Sequence, residues 1–267
     1  MAERGGKVMK MSGNTILITG GASGIGLGLA ERFLNEGNEV IICGRRESKL
    51  QEAKERFPSL HTKVCDVSIE ESRVELVKWA TETFPKLNVI VNNAGIQQRV
   101  NLLHMHEEEW QYYEKELMSN VSAPIHLTSL LIPHFVQQER AAVINVTSGL
   151  SLTPGAWVPI YSATKAALRS FTISLRHQVE ETNTEVIEIL HPAVNTDLGG
   201  PGLHTFGAPL DDFADSIFEE LKKGKIEIGY GDSAKRLHAS KEEIEKATAQ
   251  AWRGFLKNNP EFLKPKA

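Results

Sequence analysis

Cysteine is nearly absent: the 267 residues hold two, Cys43 and Cys65. So few thiols exclude a disulfide framework. Each closes a short apolar run, where a reduced core thiol belongs. A reducing, cytoplasmic setting fits. Long hydrophobic runs are lacking too. None approaches the ~20 residues that cross a bilayer, and none behind the basic start has the length of a signal peptide, so no membrane partner is expected. Basic charge is not in excess: 30 Lys and Arg face 34 Asp and Glu, a formal net charge of -4. That gives no reason for a nucleic-acid surface. The histidines form no metal pattern; His104 and His106 precede Glu107-Glu108-Glu109, but no H-E-x-x-H or Cys/His cluster follows. What is present is ordinary for a globular chain, 41% hydrophobic and 24% charged. A single α/β domain of this length needs no covalent or metal staple.

Short apolar runs alternate with longer amphipathic ones. Strands are predicted at 14–19, 39–43, 61–65, 87–92, 141–147, 184–190 and 225–229, several of them near-continuous in Val, Ile and Leu, as in strands covered on both faces. Helices are predicted at 24–35, 47–56, 69–84, 107–137, 161–181 and 211–223. Ser68 with Glu71 has the capping-box spacing, and Gly37 stands where a helix-ending glycine belongs. Glu107–Glu109 suit the positive end of a helix dipole. Strand–helix alternation with right-handed crossovers predicts a Rossmann-type doubly wound parallel sheet of about seven strands, helices on both faces. Residues 1–12 read as a disordered leader and 13–231 as one dinucleotide-binding catalytic domain. Residues 232–267 read as a polar helical appendage, with Leu237, Ile244, Trp252, Phe255 and Leu256 as apolar points.

The first strand runs into Thr19-Gly20-Gly21-Ala22-Ser23-Gly24-Ile25-Gly26. A Gly-rich turn there, opening a helix, is where a dinucleotide pyrophosphate sits, on free amides and half a positive charge. The spacing G-x-x-x-G-x-G departs from G-x-G-x-x-G, and a lone Gly-rich turn equally fits a plain βα connection. The second strand ends in Gly44-Arg45-Arg46 and carries no carboxylate until Glu47. NAD sites put an acidic side chain near there. Two guanidinium groups instead suit a 2′-phosphate, so NADP(H) is the expected cofactor, with NAD(H) not excluded. Arg46 also fits a solvated residue capping the next helix, which leaves Arg45 as the better candidate. Asp66 either bonds the adenine amino group or caps the turn before Ser68.

In Tyr161-Ser162-Ala163-Thr164-Lys165, the first and last residues share a helix face. An ammonium beside a phenol lowers its pKa toward neutrality, where the phenol exchanges a proton as a carbonyl–alcohol interconversion requires. Ser148 closes the fifth strand, at the end that lines the ligand crevice.

With these motifs in that order, the chain resembles the short-chain dehydrogenase/reductases. The resemblance covers roughly residues 14–230. It rests on Thr19-Gly20-x-x-x-Gly24-x-Gly26, Cys65-Asp66-Val67, Asn92-Asn93-Ala94-Gly95, Asn120, Ser148 and Tyr161-x-x-x-Lys165. Within the family, 93–101, 123–138 and 192–206 look similar to the oxidoreductases encoded in bacterial lipoteichoic acid D-alanylation operons. The resemblance implies Tyr161 as proton donor and acceptor, and Lys165 as the residue that tunes it and holds the nicotinamide ribose. It implies Ser148 as the orienter of the substrate oxygen and Asn120 as the anchor of a water behind Lys165. Asn92, Ala94 and Gly95 would brace the sheet centre and meet the cofactor. So would Gly20, Ser23, Gly24, Ile25, Gly26, Arg45, Arg46, Asp66, Val67, Pro192, Val194 and Thr196. Two departures stand out: Ser23 where NADP-linked members often carry a basic residue, and Pro192-Ala193 where the family usually has Pro-Gly.

Residues 196–209, rich in Gly and Pro around Leu198, Leu203 and Phe206, suit a lid or an ordinary surface loop. Gln97, Gln98, Arg99, Trp157 and His191 are candidates for the substrate side. A homodimer or homotetramer is expected, with a small carbonyl or alcohol as substrate. The competing reading is an NADPH-sensing or scaffolding module with little turnover, against which stand Ser148, Tyr161, Lys165 and Asn120, since a pure binder needs no tuned phenol.

Overall fold

A computed structural model describes residues 9–264. Seven strands form one sheet: β1 Thr15–Thr19, β2 Glu39–Gly44, β3 His61–Val64, β4 Leu87–Asn92, β5 Ala141–Ser148, β6 Thr184–His191 and β7 Glu227–Gly229. Their order is β3-β2-β1-β4-β5-β6-β7 and every pairing is parallel. Strand order reverses between β1 and β4, and the crevice at such a switch point opens beyond the strands' carboxyl ends.

All five residues of β1 and all eight of β5 are buried, which explains their largely apolar character; the polar Thr15, Thr19, Asn145, Thr147 and Ser148 are buried with the rest. Alternation still divides the core in two. Ile16 and Ile18 face one layer, with Phe33 of helix α1 (Gly24–Asn35) and Phe213 of α7 (Leu210–Lys222). Leu17 and Ile41 face the other, with Phe135 of α5 (Ala123–Phe135) and Leu175 of α6 (Pro159–Gln178). Helix α2 (Glu47–Arg56) packs on β2 and β3 in the first layer, and α3 (Glu70–Thr83) packs beside α5 in the second. Gly37 has φ +80 just beyond α1, as its place in the sequence required.

Several expectations need correction. Ser68 does not cap α3; its hydroxyl donates to Asp66 Oδ1 at 2.7 Å, and the helix starts after Ile69. The single helix predicted over 107–137 is a 3₁₀ turn at Met105–Glu107, then α4 (Trp110–Leu117), then a π-helical turn at Met118–Ser122, then α5. Periodicity reads straight through such a bulge because the chain stays helical on both sides. Glu107 is held by His104 at 2.6 Å outside the helix. Of the leader expected at 1–12, residues 1–8 lie outside the described residues. Met9 is buried and its amide donates to Glu185 Oε2 at 2.8 Å, so residues 9–12 join the fold.

The C-terminal segment forms α8 (Asp232–Arg236) and α9 (Lys241–Asn258). The capping box that is realised lies here: Ser240 Oγ accepts from the Glu243 amide at 3.2 Å and Glu243 accepts from the Ser240 amide at 2.7 Å. Ser233 of α8 is buried, and a Cβ on Gly149, the residue after Ser148, would overlap its hydroxyl. The structure therefore continues past 231 without a break.

Phe33, fully enclosed, meets Phe218 edge-on at 4.6 Å between centroids. Phe33→Ala is expected to cost about 3–5 kcal/mol, read as a lowered urea midpoint at unchanged slope; a midpoint equal to that of the unaltered protein would refute this packing.

Candidate functional site

A cleft of ≈ 680 Å³ runs along the carboxyl ends of the strands at the switch point. One end is polar and open. Gly20 and Gly24 adopt φ +64 and +53 to make the turn after β1. A Cβ on Gly20 would stand 2.9 Å from the Ala94 Cα, and one on Gly26 would overlap the Gly20 carbonyl oxygen. Only glycine lets this turn close so tightly on its helix. Ser23 precedes α1 without capping it by its side chain; its hydroxyl accepts from Arg46 at 3.3 Å instead. The first-turn amides thus stay available to an anion. Arg45 lies 3.9 Å from Asp66 with its side chain about half exposed. Asp66 Oδ1 accepts from the Ser68 amide at 2.9 Å as well as from its hydroxyl, so the turn-capping alternative holds for that oxygen.

The other end is closed and buried. Tyr161 and Lys165, one turn apart on α6, both line it and are 1% and 3% exposed. Lys165 donates to the Val146 carbonyl at 2.8 Å. The Tyr161 hydroxyl lies 3.0 Å from His191 Nε2. His191 Nδ1 is 2.6 Å from the Pro192 carbonyl, which can only accept, so Nδ1 carries the ring proton. Burial, with the nearby Lys165 charge, pulls His191 down to about 4. The imidazole is then neutral and its bare Nε2 accepts from Tyr161. Ser148 accepts from the Leu150 amide at 3.2 Å and donates to the His191 carbonyl at 3.3 Å. Asn120 sits in the π-helical turn. It bonds both backbone groups of Ile96 at 2.9 Å and donates to Thr164 at 3.1 Å.

The electrostatics differ from the sequence expectation. Burial pushes the Tyr161 phenol above its ordinary value, the Glu116 charge adds to this, and a Ser148 hydrogen bond opposes it. Lys165 is itself pulled down to about 8 by burial, with Glu116 opposing. Desolvation outweighs the cation–phenol attraction because both groups are enclosed.

Of the expected cofactor contacts, Gly20, Ser23, Gly24, Ile25, Arg45 and Arg46 line the cleft, as do Asp66, Val67, Ala94, Gly95 and Thr196. Four do not. Asn92 is buried and spends its amide on Asn145 at 2.8 Å and Thr128 at 3.2 Å. Asn93 reaches the cleft in its place, bonded to the Thr19 carbonyl at 2.9 Å; consecutive strand residues face opposite ways, and that alternation was the signal for it. Gly26, Pro192 and Val194 also lie off the cleft wall, Gly26 as a packing point against the turn. Among the described residues no non-glycine has a positive φ, so Ala193 fits its turn without strain. Glu116 carried no functional signal, although its three-residue spacing from Tyr113 placed it on that residue's buried face.

The 196–209 loop is pinned at its end: Asn195 donates to the Ala208 carbonyl and Ala208 to the Ala193 carbonyl, both at 2.9 Å. His204 meets Gln97 at 3.2 Å across the cleft mouth, while Phe206 stays exposed. Gln97 and Gln98 line the cleft. Trp157 instead stacks on Phe255 of α9 at 5.0 Å, and the Arg99 guanidinium lies 5.6 Å from that same ring.

A nicotinamide dinucleotide fits this arrangement. Uncapped amides stand at a glycine turn for the pyrophosphate, and two guanidinium groups stand beyond the second strand. A lysine and a phenol lie at the enclosed end. Among the described residues no helix is long and apolar enough to cross a membrane, and no cluster of metal-ligating side chains occurs.

Comparisons with known proteins agree with this geometry. The uncharacterized oxidoreductase DltE of Bacillus subtilis (strain 168) is 48% identical over 225 residues, 82% of this chain and 89% of the relative. The 3-oxoacyl-[acyl-carrier-protein] reductase FabG of Chlamydia pneumoniae is 30% identical over 70% of this chain and 75% of its own length. The crystal structure of a 3-ketoacyl-(acyl-carrier-protein) reductase from Brucella melitensis, complexed with NADH, superposes with a TM-score of 0.74 at 25% identity, covering 82% of this chain and 97% of that one. The short chain dehydrogenase family profile matches residues 14–203, so the chain belongs to that family.

Proposed function

We propose that this protein is an NADP(H)-preferring oxidoreductase that interconverts a carbonyl and a secondary alcohol, with Tyr161 moving the proton. The observation that carries this reading is the enclosed Tyr161 hydroxyl at the inner end of the cleft, with Lys165 one helical turn away. The turn from Gly20 to Ile25 would hold the pyrophosphate, and Lys165 and Thr196 the nicotinamide half. Hydride transfer is the chemistry such a cofactor supplies when bound.

The chain's own groups handle the proton. A phenol above its ordinary pKa is protonated at neutral pH, which is the state that reduction requires of an acid. The Tyr161 proton points to His191 Nε2, so a substrate oxygen entering there takes over the place of that acceptor. Ser148 lies outside the cleft lining and donates to the His191 carbonyl, so its hydroxyl would have to turn from that carbonyl to serve the same oxygen. Asn120 ties the Ile96 backbone to Thr164 and so fixes the wall next to Lys165. Gln97, Gln98 and the start of the 196–209 loop form the substrate side, while Trp157 packs on Phe255 of α9 outside the cleft lining.

Preference for the 2′-phosphate rests on Arg45 and Arg46 beyond β2, where a carboxylate would serve NAD. A relative that carries NADP in its name, the NADP-dependent 3-hydroxy acid dehydrogenase YdfG of Escherichia coli (strain K12), is 29% identical over 65% of this chain and supports the same choice.

Tyr161→Phe is expected to lower turnover by about 10²–10⁴-fold on any carbonyl found active in a screen, while calorimetry shows NADPH still binding. Unimpaired turnover would sink the assignment. Arg45→Ala is expected to weaken NADPH by about 1.5–3 kcal/mol, the worth of a hydrogen bond to a charged group, and NADH far less. Equal losses for the two cofactors would refute 2′-phosphate recognition.

A further inference from the structure

Glu116 is fully buried, and neither of its carboxylate oxygens makes a hydrogen bond of normal geometry. An enclosed, unpaired carboxyl is costly, and a fold keeps one where it has work to do. With Tyr113, it is one of the two buried residues of α4. It lies one turn before Asn120, whose amide reaches Thr164, the neighbour of Lys165 on α6. A Cβ on Gly95 would stand between Asn120 and Lys165, at 3.2 and 3.7 Å, so little separates the two helices here.

We propose that Glu116 is a positioning residue of the active site: its buried carboxyl faces Lys165 from behind the cleft and sets the protonation of Lys165 and Tyr161. This rests on the reading of Tyr161 as the proton carrier. The charged groups around Glu116 are few. Lys165 and Tyr161 of α6 interact with it electrostatically, as does the Gln98 backbone in the loop after β4. His191, at the end of β6, contacts the Tyr161 hydroxyl and is neutral. Burial raises Glu116 to about 8, close to where Lys165 titrates. Interacting buried groups titrate as a pair, so the state of Glu116 biases the charge on Lys165, against the larger effect of burial. An ionised Glu116 favours the Lys165 cation and disfavours the Tyr161 phenolate. A protonated Glu116 does neither.

The test uses [¹³Cε]lysine NMR on the whole protein without substrate, with Lys165→Met to assign the resonance. In the unaltered protein Lys165 should titrate well below the other lysines. In Glu116→Gln its midpoint should fall further, by about one pH unit for the loss of a nearby opposite charge. An unchanged midpoint overturns the proposal. Should Glu116→Gln fail to fold, Glu116→Met removes the charge at similar volume, a replacement buried ionic sites often tolerate. Independently of any variant, [¹³Cδ]glutamate NMR of the unaltered protein must show a carboxyl titrating in the alkaline range, and its absence overturns the proposal. Neither readout depends on turnover. If Tyr161→Phe stays active, the oxidoreductase mechanism fails; if it is inactive while the Lys165 midpoint ignores Glu116, only the role of Glu116 fails.

Discussion

The whole site depends on a polar seam through the centre of the sheet. Asn145 on β5 is completely buried, accepts from Asn92 on β4 and donates to Thr172 on α6, at 2.8 and 2.9 Å. Thr172 passes the chain on to the Leu168 carbonyl at 2.7 Å, and Asn92 also reaches Thr128 on α5. Unlike apolar packing, a buried hydrogen-bond chain has only one satisfactory register. It fixes α6 in rotation and height against β4 and β5. The helix that carries Tyr161 and Lys165 is therefore set by side chains outside the cleft lining, and Asn92 belongs to this seam.

Burial then makes the chemistry. Tyr161, Lys165 and His191 are ionisable groups enclosed at one end of the cleft, and Glu116 is fully buried outside its lining. Each is pushed toward its neutral form, because removing a charge from water costs more than these neighbours return. At the opposite end, Arg45 keeps half its side chain in solvent. The cleft is thus graded, from a wet, cationic mouth suited to phosphates to a dry interior suited to proton exchange. On the proposed reading, the anion would be held where water still reaches it, and the proton would move where water is excluded.

Much of this was legible in the residues. The parallel order followed from the alternation of short apolar runs with helix-length connections, and the glycine turn from Gly20, Gly24 and Gly26. What escaped was local. The π turn at Met118–Ser122 changes the phase of a helix without changing its composition, so the span 107–137 looked uniform. Ser68 had the right spacing for a cap, but Asp66 two residues earlier offered a closer partner. Asn92 and Asn93 were indistinguishable until strand alternation assigned one to the seam and one to the cleft. The fall of Lys165 and the rise of Tyr161 depend on enclosure in three dimensions, which a four-residue spacing does not convey.

The lock between His191 Nδ1 and the Pro192 carbonyl has a consequence for recognition. The ring cannot rotate without stranding its own proton, so Nε2 is a standing rival for the Tyr161 hydroxyl. An imidazole nitrogen is a better acceptor than a resting ketone oxygen and a poorer one than an oxygen gaining negative charge. In the role proposed for Tyr161, the phenol would be held back from a ground-state carbonyl and released to it as charge builds, so that discrimination would fall on the activated complex.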